Sequence, residues 1–156
     1  MRLTVVALGE RMPGWVAQGV AEYAKRFPRE CALEIVSVPA AKRNKSGDTA
    51  KAIQDEGKRM LAALPQRGLN IALDERGRLM STEQWAALLR EWMLDGVNPV
   101  FLIGGADGLA PECKERADQT WSLSKLTLPH PLVRVLLVEQ LYRAWTIVNN
   151  HPYHRS

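Results

Sequence analysis

Residues 121–145 read WSLSKLTLPHPLVRVLLVEQLYRAW, an apolar loop that continues into a long apolar helix. The loop half, residues 123–131, contains three leucines and a Pro-His-Pro sequence. Connections between elements usually run over the surface and are polar, because buried backbone groups need hydrogen-bond partners. We therefore expect the backbone of this loop to be satisfied by something other than water, such as a ligand. Pro131 is typical of the first turn of a helix, where a missing N–H costs nothing.

The helix that follows is apolar over most of its circumference, which predicts burial in a core or against a partner. A wheel at about 100° per residue collects a few polar residues on one narrow side: Glu139, Gln140, Arg143 and Thr146. Arg134 lies on the opposite side, in the first turn, where a cation also opposes the helix dipole. We expect Arg134 to have an anionic partner from a carboxylate, another subunit or a substrate, and a structural ion pair is the simple alternative.

The composition is that of an ordinary globular protein. The chain has 156 residues, 46% of them apolar and 24% charged, which fits a single domain covering residues 1–156. It contains no apolar run of about 18 residues or more, so we expect no membrane span. Lys and Arg number 21 against 17 acidic residues, an excess that permits an anionic partner such as nucleic acid without requiring one.

Cysteine and histidine give no sign of a metal site. Cys31 and Cys113 are isolated thiols, and the three histidines have no carboxylates at ligand spacing. We therefore predict no metal, and a reduced, cytoplasmic setting in which both thiols are packing residues.

Short apolar runs alternate with helical patterns along the chain. The expected strands cover residues 2–8, 33–38, 69–73, 99–103 and 120–123. The expected helices cover residues 15–27, 49–64 (with Asp48 as N-cap), a segment opened by a Ser81–Gln84 capping box, and 111–117. This alternation predicts an α/β fold with a mainly parallel sheet covered by helices on both faces. Ligands in such folds bind at the carboxyl ends of strands, here Leu73-Asp74, Gly104-Gly105 and residues 123–128.

A cationic segment, residues 40–47 (AAKRNKSG), follows the second expected strand. Its Lys42, Arg43 and Lys45 fit either a solvated, mobile loop or a flexible arm that folds down on phosphates.

The turn Gly104-Gly105-Ala106-Asp107-Gly108 follows the fourth expected strand, and its glycines would let a ligand approach the backbone closely. It lacks the Gly-Lys-Ser/Thr of a P-loop and the G-x-G-x-x-G of a dinucleotide site. Together with the apolar loop, it could hold a flat group such as adenine through backbone donors and acceptors.

Several segments together resemble a known family: FLIGGADGL, the stretch from residue 121 to 145, the closing NNHPYHR, the early MPGWV and the Lys/Arg-rich loop. They resemble the SPOUT methyltransferases, and most closely the ribosomal RNA large subunit methyltransferase H family, which methylates N3 of a pseudouridine in 23S rRNA. The resemblance implies S-adenosyl-L-methionine (AdoMet) as cofactor, pseudouridine 1915 on the assembled ribosome as substrate, and no membrane partner. It also implies a trefoil knot in the C-terminal half and a homodimer whose interface includes the long helix.

The same resemblance assigns site residues. Those implied for the cofactor are Leu73, Gly104, Gly105, Leu123, Ser124, Lys125, Leu126, Thr127 and Leu128. A functional tail at residues 149–156 would lie over the active site, with His151 and Arg155, like Lys42, Arg43 and Lys45, on the RNA. For catalysis we expect Tyr153 and His154 to hold the base, His154 to accept the proton and Arg134 to offset anionic charge, while His130 holds the loop.

Two other classes of function stay open. A non-enzymatic RNA- or ribosome-binding factor would explain the cationic segment and the tail, but not the glycine turn or the apolar loop. A nucleotide-dependent oxidoreductase is disfavoured by the missing G-x-G-x-x-G and the missing acidic ribose partner.

Overall fold

The computed structural model describes residues 1–43 and 48–155. In chain order the strands are β1 (Arg2–Leu8), β2 (Ala32–Val38), β3 (Leu69–Leu79), β4 (Pro99–Ile103) and β5 (Gln119–Ser122). The α-helices are α1 (Gly14–Ala24), α2 (Thr49–Ala63), α3 (Thr82–Asp95), α4 (Pro111–Arg116) and α5 (His130–Val148). Short 3₁₀ turns cover Arg29–Cys31 and Pro152–His154.

The strands form one sheet in the order β2-β1-β4-β3-β5, and all of its pairings are parallel. Alternate residues of β1 point to opposite faces: Val5 packs into one hydrophobic core and Val6 into another. The first core includes residues of α3 and α5, and the second includes residues of α2 and α4. The prediction of a parallel α/β sheet with helices on both faces is therefore confirmed.

Trp121, at the start of the stretch quoted first, is the largest fully buried side chain. Its ring lies 5.7 Å from that of Trp92 and 5.0 Å from that of Trp85, both on α3. Phe101 of β4 contacts the same ring edge-on at 5.8 Å. These aromatic contacts fix α3 against the sheet at β5, immediately before the apolar loop.

Strand β3 is longer than the sequence predicted. The Asp-Glu-Arg-Gly sequence after Leu73 reads as a turn, yet the strand continues to Leu79, and Leu73 and Arg78 both pair with Trp121. The chain is irregular between them, and a Cβ on Gly77 would lie 2.6 Å from the Trp121 carbonyl carbon. Polar residues are tolerated here because Glu75, Arg76 and Arg78 are exposed.

The apolar circumference of α5 is covered partly within the same chain. Val135 packs on α1 beside Gly19, and Gln140 accepts a hydrogen bond from Thr82 of α3 at 2.7 Å. Thr146, expected on the polar side, is fully buried, and its hydroxyl donates to the Arg143 carbonyl at 2.6 Å. That expectation was wrong because a threonine can satisfy its hydroxyl on its own helix. The knot stays a prediction.

Helix α3 begins with the predicted capping box: Gln84 N–H donates to Ser81 Oγ at 3.1 Å, and Ser81 N–H donates to Gln84 Oε1 at 2.8 Å. We expect Ser81→Ala to lower the free energy of unfolding by about 1 kcal/mol, because an N-terminal amide loses its partner. Urea unfolding followed by circular dichroism measures this change. Ser81→Asp, which keeps an acceptor at the cap, is the control and should stay close to wild type; equal losses in both variants would refute the capping explanation.

Candidate functional site

A cleft of about 930 Å³ lies at the carboxyl ends of β4 and β5, beside the irregular part of β3 that follows Leu73. Its walls are the part of β3 beyond Leu73 (the β3 extension, residues 74–79), the turn at residues 104–108 (the glycine turn), and the apolar loop with the first turn of α5. The predicted cofactor positions that line it are Leu73, Gly104, Gly105, Leu123, Ser124, Leu126, Thr127 and Leu128. Lys125, which belongs to the same loop, is exposed and is not among the lining residues.

The glycine turn needs its glycines for two reasons. A Cβ on Gly104 would lie 2.5 Å from the Gly108 carbonyl carbon and 2.6 Å from the Leu109 nitrogen, so Gly104 makes room for the turn's own backbone. Gly108 has φ +80° and donates its N–H to the Gly105 carbonyl at 3.0 Å. Gly105 itself leaves space for the Leu8 side chain, since a Cβ there would be 2.9 Å from Leu8 Cδ2.

The apolar loop satisfies part of its backbone with its own serines. Ser122 Oγ donates to the Ser124 carbonyl at 2.8 Å, and Ser124 Oγ accepts from the Leu126 N–H at 2.9 Å. These partners are other than water, as expected, and a ligand as a further partner stays a prediction. Leu126 is 72% exposed at the cleft, whereas Leu123 and Leu128 are half-buried.

The opposite wall of the cleft is polar. The sequence placed Asp74 at this edge of the sheet, but it did not predict the partners of Asp74 or the contact of Glu75. Asp74 forms an ion pair with Lys114 at 2.8 Å, and this partner, followed by the Arg76 N–H, lowers the pKa of Asp74. Thr127 Oγ1 donates to Glu75 at 3.1 Å and so joins the apolar loop to the β3 extension. The signal in the sequence is the Asp-Glu-Arg run directly after Leu73.

His130 opens α5 and lines the cleft. Its Nδ1 is buried and has no hydrogen-bond partner among the described residues. Burial lowers the pKa of His130, and the positive charge of Arg134 adds to the effect. The neutral imidazole is therefore favoured. The sequence suggested only that His130 holds the loop, whereas the structure also places it in the lining of the cleft.

Arg134 is buried, as predicted, but its partners in the chain are neutral oxygens. One Nη donates to the carbonyls of Leu8 and Gly9 at 2.9 and 2.6 Å. The other Nη lies 3.4 Å from Ser37 Oγ, and Nε is buried without a hydrogen-bond partner among the described residues. Within the described residues, the backbone carbonyls at the end of β1 solvate the cation, and no carboxylate is among these contacts. An anionic partner from another subunit or from a substrate, the other two sources expected, stays a prediction. Burial lowers the pKa of Arg134, although a guanidinium keeps its proton in proteins.

The tail packs on the other end of α5. Tyr153 donates its hydroxyl to Glu139 at 3.0 Å, lies 3.4 Å from the Tyr23 hydroxyl and packs its ring against Tyr142 at 4.8 Å. The Arg143 guanidinium lies 4.9 Å from the centre of the same ring. Burial, followed by the bonds to Tyr23 and Glu139, raises the pKa of Tyr153.

The tail histidines flank Tyr153. His151 Nδ1 accepts the Tyr153 N–H at 3.2 Å. His154 is half-buried, and its buried Nδ1 has no hydrogen-bond partner in the part of the chain that the structure describes. His151 and Arg155 are exposed. None of the tail residues described is part of this chain's cleft lining.

The described cations of the cationic segment (residues 40–47) lie in different environments. Lys42 is exposed, whereas Arg43 forms ion pairs with Glu56 at 2.6 Å and with Asp107 at 2.8 Å. Lys45 lies outside the described residues. The pKa of Arg43 is raised by its hydrogen bonds to Glu56 and then to Asp107.

Two absences hold for the described part of the chain. Residues 1–43 and 48–155 contain no group of three or more His, Cys, Asp or Glu side chains arranged to hold a metal. No helix within those ranges is long and apolar enough to cross a membrane.

Comparison with known proteins agrees with a methyltransferase of the SPOUT class. The family model described as "Predicted SPOUT methyltransferase" matches residues 1–154. A probable methylase family protein from Haemophilus influenzae Rd KW20 has the same fold, with a TM-score of 0.56 and 14% identity over 97% of this chain and 69% of that one. TrmJ from Z. mobilis ZM4 gives a TM-score of 0.55 and 16% identity over 92% of this chain and 70% of that one.

A curated relative narrows the class. Ribosomal RNA large subunit methyltransferase H from Marinomonas sp. (strain MWYL1) is 54% identical over 155 residues, 99% of this chain and 100% of its own length. The chain belongs to the SPOUT methyltransferases and, among them, to the ribosomal RNA large subunit methyltransferase H family.

The geometry of the glycine turn predicts the effect of a single methyl group. Gly104→Ala should lower the free energy of unfolding by about 1–3 kcal/mol, because the new Cβ meets backbone atoms that cannot rotate away. Gly14→Ala is the matched control, since a Cβ at Gly14 meets nothing within 4 Å. Urea unfolding of both variants checks this, and equal stabilities would contradict the close packing of the turn.

Proposed function

We propose that this protein is an AdoMet-dependent methyltransferase that methylates N3 of pseudouridine 1915 in 23S rRNA. It acts in the cytoplasm, as a homodimer, on the assembled ribosome. The observation that carries the proposal is the cleft at the carboxyl ends of β4 and β5, beside the irregular part of β3, lined by the positions that the family uses for its cofactor, in a chain 54% identical to a named rRNA methyltransferase.

The cleft fits AdoMet in size and chemistry. Its volume of about 930 Å³ lies within the usual range for small-molecule sites, about 300–1,000 Å³. Leucine side chains of the apolar loop can enclose an adenine, while backbone groups of Leu73, Gly105 and the loop offer donors and acceptors. The buried, unpartnered Nδ1 of His130 is a further polar atom that a ligand could satisfy.

AdoMet, when bound, supplies a methyl group on a sulfonium, which leaves as a neutral thioether and needs no acid. The protein's own task concerns the acceptor: N3 of the base carries a proton at neutral pH and must lose it. We assign the support of that loss to Arg134: it does not line the cleft, but it follows the lining residue Val133 and lies one helical turn after His130. A fixed cation beside a forming imidate lowers the barrier without reorganising.

The position of the tail supports a composite site. His130 and Val133 line the cleft, whereas Tyr153 packs beside Glu139 and Tyr142. Nine residues of α-helix separate Val133 from Tyr142, which corresponds to about 13 Å along the axis. In a homodimer joined through α5, the tail of one protomer would instead meet the cleft of its partner, with Tyr153 and His154 on the base.

The cationic residues suit the RNA backbone. Lys42 and Arg155 are exposed and could reach phosphates, while the ring of His151 could stack or donate. Lys45 is assigned to the same task by its place in the basic loop. Arg43 is paired with Glu56 and Asp107 and would contact RNA beside those ion pairs. Recognition would depend on the shape of structured rRNA.

The deciding experiment incubates the protein with methyl-labelled AdoMet and ribosomes that lack the modification. Label in 23S rRNA at pseudouridine 1915 is expected. Ribosomes that already carry the methyl group are the control and should accept none. Label at another nucleotide would overturn the proposed substrate, and absence of label would overturn the activity.

His154 should be needed for transfer rather than for cofactor binding. His154→Ala is expected to slow methyl transfer by about 10²–10⁴-fold, the usual contribution of a positioned base, with little change in AdoMet affinity by calorimetry. Added imidazole should restore part of the rate if the lost group is chemical. Equal loss of rate and AdoMet affinity, without imidazole rescue, would mean that His154 is structural.

The alternative is a ribosome-binding factor without enzymatic activity. It would bind ribosomes through the same cationic residues but give no heat with AdoMet. Calorimetry on the full chain therefore separates the two proposals before any ribosome is prepared.

A further inference from the structure

Arg43 joins three separate parts of the chain. Its Nη1 donates to the Ala41 carbonyl at 2.9 Å and to Glu56 Oε2 at 2.6 Å. Its Nη2 donates to Glu56 Oε1 at 3.0 Å and to Asp107 Oδ2 at 2.8 Å. The planar fork of a guanidinium is suited to holding two carboxylates at once, which a lysine cannot do with the same geometry.

Glu56 fixes this arrangement from the side of α2. Its side chain is only 4% exposed, and it also accepts the Ala41 N–H at 3.0 Å. A buried carboxylate without a cationic partner is costly, so Arg43 is held firmly at this position. The other side of the guanidinium is then presented to Asp107 in a defined place.

Helix α2 also supports the exit of the glycine turn. A Cβ on Gly57, the residue after Glu56, would lie 2.7 Å from Ala110 Cβ and 2.6 Å from Glu112 Oε2. The segment that leaves the turn therefore packs directly on α2. Arg43 adds a contact at the tip of the turn, so the same helix restrains both parts.

Asp107 connects this support to the cleft. It is one of the residues that line the cleft, and its side chain is 42% exposed. The backbone of the turn is closed by the bond from Gly108 to Gly105, which leaves the direction of the Asp107 side chain to its ion pair with Arg43. Loss of the guanidinium would free this part of the cleft wall.

We propose that Arg43 is a positioning residue for the cofactor: acting through Asp107, it holds the tip of the glycine turn in the conformation that binds AdoMet. The inference rests on the proposed cofactor. This role inside the protein comes in addition to the RNA contact expected of the basic loop. Through Arg43 and Asp107, the first residues of that loop are connected to the cleft.

A double-mutant cycle on AdoMet affinity tests this role in the full chain without RNA. Arg43→Ala and Asp107→Ala should each raise the AdoMet Kd by about fivefold or more, the low end of a typical coupling between two sites. The double variant should bind no more weakly than the weaker single variant, because both changes remove the same support. Arg43→Lys should retain much of the defect, since an ammonium cannot hold both carboxylates.

Two controls separate positioning from a general loss of structure. Lys51→Ala removes an exposed cation from the same helix and should leave the Kd unchanged. Asp107→Asn keeps the pair between Arg43 and buried Glu56, so this variant should fold and still bind AdoMet more weakly. In the ribosome assay, Asp107→Asn should raise KM for AdoMet while kcat at saturating AdoMet is retained.

The outcomes divide cleanly. Wild-type protein that gives no heat with AdoMet would overturn the proposed function itself. Wild-type protein that binds AdoMet beside variants of unchanged Kd would overturn only the role of Arg43. Additive losses in the double variant would mean that Asp107 acts on the cofactor independently, which also overturns positioning through Arg43.

Discussion

The buried guanidinium of Arg134 connects the start of α5 to the carboxyl end of β1, and the cleft is assembled around that connection. Arg134 donates to the carbonyls of Leu8 and Gly9, while the Leu8 side chain fills the space that a Cβ on Gly105 would occupy. The helix that carries His130, strand β1 and the glycine turn are therefore fixed relative to one another through a few contacts. Burying a guanidinium costs desolvation free energy, and this cost is offset here by the carbonyl contacts that hold the cleft together.

Helix α5 also sets the distance between the cleft and the C-terminal tail. Its first turn belongs to the cleft, and its later turns hold Tyr153 through Glu139 and Tyr142. A rigid helix cannot bring both ends of itself to one point, so one chain presents a cleft and a tail that are apart. This separation is the reason that the proposed function places the tail of one protomer at the cleft of a second one.

The sequence predicted the regular parts of this structure well because hydrophobic period and local capping decide them. The apolar runs gave β1 and β4, and Ser81 with Gln84 marked the start of α3. The extension of β3 past Leu73 was missed, because Asp-Glu-Arg-Gly has turn composition and only the tertiary pairing with β5 makes it a strand. The strand pattern located the three loops at one edge of the sheet, and the family resemblance assigned the cofactor to them. The ion pair between Asp74 and Lys114 is visible only in the fold.

The partners of charged residues were the feature that the sequence predicted least well. Arg134 was expected to meet an anion from a carboxylate, another subunit or a substrate, and within the chain it contacts carbonyls. Arg43, in a run that resembles an RNA-binding arm, is held by two carboxylates. The difference arises because a guanidinium takes its partners from three-dimensional neighbours, and Asp107 is 64 residues away from Arg43 in sequence. The modest positive charge of the chain therefore overstates the number of cations facing RNA. Arg134 and Arg43 stabilise the fold of the chain itself. Through the carbonyl partners of Arg134 and the carboxylate partners of Arg43, they hold the walls of the cleft in place.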